Sequence, residues 1–182
     1  LYGAAVKDNK FWSTDLIIED GAQHWLSNNC NRVGNATAIS FDPMKNLNCY
    51  GNGGAVVTDD LDLLEFARAM RNNGKPKYEF AGSNSRMSEV DCAQMNIKLD
   101  YFDAWQKRRT EIANYYIETF GDYVDILPTT AGTTHAWSKF AFRTGSRSAL
   151  RMFLEERKIT TKVHYERALY DEVVGRHLLD PV

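Results

Sequence analysis

Three short apolar segments, each bounded by glycine, asparagine or aspartate, constrain the fold of this chain most strongly. They are residues 15–19 (DLIIE), 36–41 (ATAISF) and 54–58 (GAVVT). Runs of this length with such borders are typical of strands that are covered on both faces, as in parallel sheets. Helical periodicity follows over residues 61–73, and again from 88 to about 120 with a break near 99–103. This succession predicts an α/β fold.

The pattern changes after Gly121, which we expect to end the second helix. Residues 123–127, 136–143 and 160–164 alternate like strands of a half-exposed sheet, and residues 148–158 form an amphipathic helix between the last two. This order predicts a small α+β unit behind the larger α/β unit. We place residues 1–105 in the larger domain and 106–182 in the smaller one.

Composition excludes several classes of function. The net charge is −2 and no long basic run exists, so capture of nucleic acid is not expected. The three cysteines are odd in number and lack the spacing of metal ligands, which favours a reduced cytoplasmic location and no metal site. No apolar stretch approaches the length that spans a membrane.

One lysine, Lys45, lies between two of the predicted strands, in the stretch SFDPMKNLNCYGNGGAVVTDD. An isolated lysine usually extends its amine to water, and that reading stays open. However, Asp20 lies at the carboxyl end of the first predicted strand, directly after residue 19, with Gln23 three residues further on, and Ser40 lies near the end of the second. Strand carboxyl ends meet at one edge of a parallel sheet, where ligands bind, so we expect these side chains to converge.

Pyridoxal phosphate requires this set of groups. Its aldehyde takes a lysine amine as a Schiff base, and its ring nitrogen stays protonated beside a carboxylate. The phosphate takes hydroxyl and backbone donors. Lys45 could serve as the catalytic Schiff-base lysine, Asp20 as the partner of the ring nitrogen, Ser40 as a phosphate ligand and Gln23 as the residue that orients the phenolic oxygen of the ring. The residues alone leave two ordinary readings open, with Asp20 as a cap at a strand end and Ser40 as a turn residue.

Consecutive motifs of the chain resemble those of the DegT/StrS-type nucleotide-sugar aminotransferases. The motifs are IIEDGAQ, then SFDPMKNLNCYGNGGAVVTDD, then RNNGK, then GSNSRMSEVDCAQMNIKLDYFDAWQKRRTEIANYY. The resemblance implies a fold-type-I pyridoxal-phosphate enzyme, of which this chain is the C-terminal part of the large domain plus most of the small α+β domain. It also implies that the N-terminal part and the extreme C-terminus of such an enzyme lie outside this chain.

The resemblance further implies which reaction and which assembly to expect. The amino group of glutamate or glutamine passes through the cofactor to a keto-sugar that is linked to a nucleotide diphosphate. Lys45, Asp20, Gln23 and Ser40 take the cofactor contacts assigned above. Asn84, in the motif NSR, resembles a residue that reaches the phosphate of the neighbouring subunit's cofactor, which implies a homodimer with shared active sites.

Two alternatives remain open at this stage. A sugar dehydratase of the same fold uses this cofactor too, but such relatives carry histidine in place of the lysine, so Lys45 argues against it. A truncated, non-catalytic chain that only binds a cofactor or partner is the other. For His24 and His164 we favour packing over catalysis, and we expect Trp105 to lie in a core or an interface.

Overall fold

A three-stranded sheet forms the amino-terminal half of the fold in the computed structural model, which describes residues 2–5, 16–27, 34–168 and 171. Its strands are β1 (Ile18–Asp20), β2 (Ala36–Ser40) and β3 (Gly54–Val57), and they adjoin in that order. β1 and β2 are parallel, whereas β2 and β3 are antiparallel. The predicted strands are confirmed, but the sheet is mixed. The carboxyl ends of β1 and β2 and the amino end of β3 consequently share one end of the sheet.

The two faces of this sheet differ in exposure. Glu19 and Thr37 are buried on one face, where Thr37 Oγ1 donates a hydrogen bond to Glu19 Oε2 at 3.2 Å. Ile18 and Val56 are instead 65% and 51% exposed. Among the described residues, the strands are therefore covered unevenly, since Ala36 is buried on the face where Ile18 and Val56 are exposed.

Helix α1 (Leu61–Met70) follows β3 directly. Asp60 caps its start, since its Oδ1 accepts a hydrogen bond from the Leu63 amide at 3.0 Å. The helix ends three residues before the predicted residue 73, because the chain leaves the helical region at Asn73 and Gly74, whose φ angles are 60° and 78°.

Helix α2 (Glu89–Phe120) is 32 residues long and dominates the fold. Ser88 caps it, as the motif SEVD predicts, by accepting a hydrogen bond from the Asp91 amide at 3.1 Å. The break expected near residues 99–103 is absent. Neither glycine nor proline occurs anywhere in the helix, so nothing in its backbone interrupts the hydrogen-bond ladder.

The core lies between α2 and the loop that joins β2 to β3. Its buried members come from both elements: Leu47, Cys49, Met95 and Phe102. Trp25 stacks on Phe102 with ring centroids 5.9 Å apart. The loop is thus part of the core, which restricts its conformation.

Two further strands follow α2, after a 3-10 turn at Gly121–Tyr123. They are β4 (Asp125–Ile126) and β5 (Phe142–Arg143), an antiparallel pair shorter than the predicted strands 123–127 and 136–143. The last helix, α3 (Arg147–Glu156), confirms the predicted amphipathic helix. Residues 160–164 are not a strand, because no other described segment pairs with them.

The chain separates into two compact units, Leu1–Arg143 and Thr144–Val182. The domain boundary predicted after residue 105 falls inside α2, and the division into domains 1–105 and 106–182 stays a prediction. Within the described ranges, no helix combines the length and the apolar character that crossing a membrane demands. The same residues contain no cluster of histidine, cysteine, aspartate or glutamate side chains that could hold a metal ion.

Gly82 provides a test of how the segment containing Asn84 docks on the end of α1. A Cβ atom at Gly82 would lie 2.7 Å from the Met70 carbonyl oxygen and closer still to the Gly74 amide, both of them backbone atoms. We expect Gly82→Ala to destabilise the protein by about 1–3 kcal/mol, because the backbone must shift. Urea unfolding measures this change.

Gly145→Ala is the matched control, because a Cβ atom there meets nothing within 4 Å. It should leave the free energy of unfolding within about 0.5 kcal/mol of wild type. Equal effects of the two substitutions would contradict the close approach at Gly82.

Candidate active site

The end of the first sheet brings Asp20 and Ser40 together. Each is the last residue of its strand, and the two strands run parallel. Asp20 is in register with Ala38, which precedes Ser40 by two residues. Because side chains two apart on a strand share a face, Asp20 and Ser40 lie on the same face at the same end of the sheet.

Both of these side chains keep hydrogen-bonding capacity for a ligand. The Asp20 carboxylate is exposed, and its Oδ1 accepts a hydrogen bond from the Ala22 amide at 3.0 Å. Ser40 Oγ accepts from the Asp42 amide at 3.3 Å, which leaves its own proton to donate. A carboxylate and a hydroxyl donor thus stand at one sheet end.

Lys45 follows β2 closely and is half-buried. Its backbone amide donates to the Asp42 carbonyl at 2.9 Å. Its side-chain amine forms no hydrogen bond or ion pair with any residue that the structure describes. The backbone is therefore held while the amine stays available for reaction.

The other two predicted contacts lie on different segments. Gln23 is half-buried, and its Oε1 accepts a hydrogen bond from the Tyr2 amide at 2.6 Å. Asn84 is exposed, and its backbone forms an isolated bridge with Asn72. Among the described residues, Asn84 is not hydrogen-bonded to the side chains at the sheet end, so its assignment to the site stays a prediction.

The loop that carries Lys45 lies along one face of α2. The helix residues that contact it are Asp91, Met95, Lys98, Phe102 and Gln106. Their spacing of three or four residues places them in one stripe on the helix. A single straight helix face consequently fixes the path of the loop from residue 46 to residue 51.

Polar contacts alternate with apolar ones along that stripe. Asp91 Oδ1 accepts from the backbone amide of Tyr50 at 3.0 Å. Lys98 Nζ donates to the backbone oxygen and the Oδ1 atom of Asn48, at 2.8 and 2.6 Å. Gln106 Oε1 accepts from Asn46 Nδ2 at 3.0 Å. Such contacts fix the register of the loop, whereas the apolar residues between them supply burial.

The Asp91 carboxylate serves the helix and the loop together. A hydrogen bond from Ser88 Oγ, at 2.8 Å, lowers the pKa of Asp91 below its ordinary value, and the amides of Tyr50 and Gly51 lower this pKa further. The ionised carboxylate therefore stabilises the amino terminus of α2 and the end of the loop at neutral pH.

A buried polar pair lies behind the sheet end. His24 Nε2 is 3.5 Å from Glu19 Oε1, and both side chains are buried. His24 is packed in the interior, as expected, because the residue is only 4% exposed. Sequence reasoning missed its partner, although Glu19 alternates with exposed Asp20 along a short strand, and that alternation could have identified it.

Comparison with known proteins places these features in a family. The DegT/DnrJ/EryC1/StrS aminotransferase family matches residues 15–178, so the chain belongs to that family, as its motifs predicted. The chain is 41% identical over 158 residues to dTDP-3-amino-3,4,6-trideoxy-alpha-D-glucose transaminase of Streptomyces venezuelae, an alignment that covers 82% of this chain and 42% of that relative. It is 43% identical over 157 residues to dTDP-3-amino-3,6-dideoxy-alpha-D-galactopyranose transaminase of Aneurinibacillus thermoaerophilus, covering 82% and 43%.

Solved structures agree on the fold. A DegT DnrJ EryC1 StrS aminotransferase from Brucella abortus matches with a TM-score of 0.82 and 30% identity, over 89% of this chain and 46% of that one. DesV of S. venezuelae matches with a TM-score of 0.82 and 35% identity, over 88% and 46%. The predicted α/β fold of the fold-type-I class is thus confirmed, and the chain spans less than half the length of the relatives it matches.

The pH dependence of stability tests the burial of His135, which lies next to Ala136, the residue that contacts the Lys45 loop. Burial lowers the pKa of His135 to about 4, and its Nδ1 accepts a hydrogen bond from the Trp137 amide at 2.9 Å. The unfolded chain therefore takes up this proton near pH 6.5, before the folded chain does. The free energy of unfolding should fall as the pH drops from 6.5 to about 4, and this contribution should not change below that pH.

His135→Gln keeps a hydrogen-bond acceptor but has no proton to gain. Urea unfolding at several pH values should show a flatter profile for this variant than for wild type between pH 6.5 and about 4. Parallel profiles would show that His135 is not held neutral by the fold.

Proposed function

We propose that the protein is a pyridoxal-phosphate-dependent aminotransferase that passes an amino group from glutamate or glutamine to a keto-sugar linked to a nucleotide diphosphate. The observation that carries this proposal is that Asp20 and Ser40 lie at one sheet end, while the Lys45 amine, on the loop that leaves that end, has no hydrogen bond or ion pair with the described residues. The names of the relatives support the substrate class, since both are transaminases of dTDP-linked sugars.

The side chains at this end of the sheet fit the chemical groups of pyridoxal phosphate. The cofactor, when bound, draws electrons from a substrate carbon that must lose its proton. Asp20 would hold a proton at the ring nitrogen through its exposed carboxylate. Ser40 would donate a hydrogen bond from its hydroxyl to the phosphate, and the Gln23 side chain would orient the ring oxygen. These three residues would bind and orient the cofactor.

Lys45 carries the chemistry itself. Its Nζ atom would hold the cofactor covalently. The same amine, when it is not bonded to the cofactor, would move a proton at the substrate carbon, which requires the amine to be neutral. An amine that has no hydrogen bond or ion pair with the described residues can rotate between these tasks.

We also propose that two copies assemble into a homodimer in the cytoplasm and that Asn84 reaches the cofactor of the partner copy. The exposed position of Asn84 supports this, as does an apolar row on α2 whose members are largely exposed: Val90, Ile97, Tyr101, Trp105 and Tyr115. Exposed apolar patches of this kind mark interfaces. Cys49 and Cys92 are both free thiols, which suits a reducing compartment.

The first test identifies the lysine that bonds to the cofactor. Pyridoxal phosphate added to the protein should give a visible absorption band, and borohydride should trap the adduct on Lys45, as located by peptide mass spectrometry. Lys45→Ala should abolish both the adduct and amino transfer. Asp20→Asn should retain the adduct but slow transfer by at least ~100-fold, because the ring nitrogen loses its anionic partner.

Lys75→Ala is the matched control, because Lys75 is exposed and plays no part in the site. It should keep both the adduct and the activity. A trapped adduct on Lys75 or Lys98, with Lys45 unmodified, would overturn the assignment.

The second test concerns the assembly. Sedimentation velocity should show a dimer. Replacing the stacked and exposed pair Tyr101 and Trp105 by lysine should raise the dissociation constant of this dimer by at least ~10-fold. Lys158→Glu, on exposed surface of the other compact unit, is the control and should leave the dimer intact. A monomer over a wide range of concentration would contradict the proposal.

A further inference from the structure

The residue after Lys45 takes part in a hydrogen-bond network that the proposed chemistry does not use. Asn46 Nδ2 donates to the backbone oxygen of Ala136 at 2.7 Å and to Gln106 Oε1 at 3.0 Å. Gln106 Nε2 donates to the same Ala136 oxygen at 2.8 Å. One side chain from the loop and one from α2 therefore share a single acceptor.

The backbone of Ala136, which accepts these hydrogen bonds, is itself fixed in position. The residue is only 1% exposed, and its own amide donates to the Gly3 carbonyl at 2.8 Å. Both polar groups of this residue are thus paired inside the protein. A buried carbonyl that loses its donors is costly, so the network holds Asn46 tightly.

The backbone on the other side of Lys45 is held too. The Met44 carbonyl accepts a hydrogen bond from Lys139 Nζ at 3.3 Å, and the Met44 amide donates to Asp42 Oδ1 at 2.9 Å. Fixed peptides on both sides determine where the Cα–Cβ bond of Lys45 points. The amine at the end of that side chain stays without a partner among the described residues.

We propose that Asn46 is a positioning residue, which fixes the backbone of Lys45 and so directs its amine to the sheet end where Asp20 and Ser40 lie. The inference rests on the proposed role of Lys45 in holding the cofactor. An amide is required at residue 46 because the side chain donates to two acceptors at once. A carboxylate has no proton to donate and would instead repel the Ala136 oxygen.

The test compares Asn46→Ala and Asn46→Asp with Lys98→Met. Lys98→Met is the matched control, since it removes two hydrogen bonds from the same loop at Asn48 rather than next to Lys45. Three quantities are measured on each purified protein. They are the melting temperature, the labelling rate of Lys45 relative to exposed Lys75 by an amine reagent without cofactor, and the rate at which added pyridoxal phosphate forms a borohydride-reducible adduct on Lys45.

Both Asn46 variants should raise the labelling of Lys45 relative to Lys75, because a backbone that is no longer fixed lets the half-buried Lys45 side chain reach solvent more often. They should slow adduct formation by at least ~10-fold, as a displacement of about 1 Å is enough to cost that much. Lys98→Met should lower the melting temperature but leave both lysine measurements at the wild-type value. Adding Gln106→Ala to Asn46→Ala should change little more, because both residues belong to one network.

Two results would overturn the proposal: wild-type labelling of Lys45 in both Asn46 variants, or an equal change in Lys98→Met. If wild-type protein forms no adduct on Lys45, the proposed function fails instead. In that case the labelling ratio, which needs no cofactor, still decides whether Asn46 directs the amine.

Discussion

The packing of the loop between β2 and β3 along one face of α2 is the interaction on which the rest of this structure depends. Leu47 and Cys49 pack against Met95 and Phe102, and the polar contacts between them set the register. Burial of such side chains contributes about 1.5–3 kcal/mol each, whereas each hydrogen bond contributes about 1 kcal/mol net. The apolar residues thus hold the loop on α2, and the polar ones decide where along α2 it rests.

The packing of the loop on α2 also explains how Lys45 can lie between two strands of the sheet. Lys45 is not a member of the core, to which the loop contributes Leu47 and Cys49 instead. The same buried loop anchors the peptide after Lys45 through Asn46. A lysine that holds a cofactor covalently requires a fixed backbone, because its nitrogen must be placed accurately, and an amine that can change partners.

Local patterns predicted the strands, the caps at Asp60 and Ser88, and the placement of Asp20 and Ser40 at strand ends. These features depend on residues close in sequence, which is why they could be predicted. The antiparallel direction of β3 and the contact of Gln106 with Asn46 join residues far apart, and periodicity carries no signal for them. Residues 160–164 alternate like a strand, but alternation alone does not supply a strand to pair with.

The central claim, that Asp20, Ser40 and Lys45 converge on one cofactor, is tested most directly by a crystal structure of the protein with pyridoxal phosphate. The account predicts a covalent bond from Lys45 Nζ to the cofactor. It also predicts an Asp20 carboxylate oxygen about 2.7–3.2 Å from the ring nitrogen and Ser40 Oγ within the same distance of a phosphate oxygen. A cofactor bound elsewhere, or bound at Lys45 with Asp20 turned away from the ring, would contradict it.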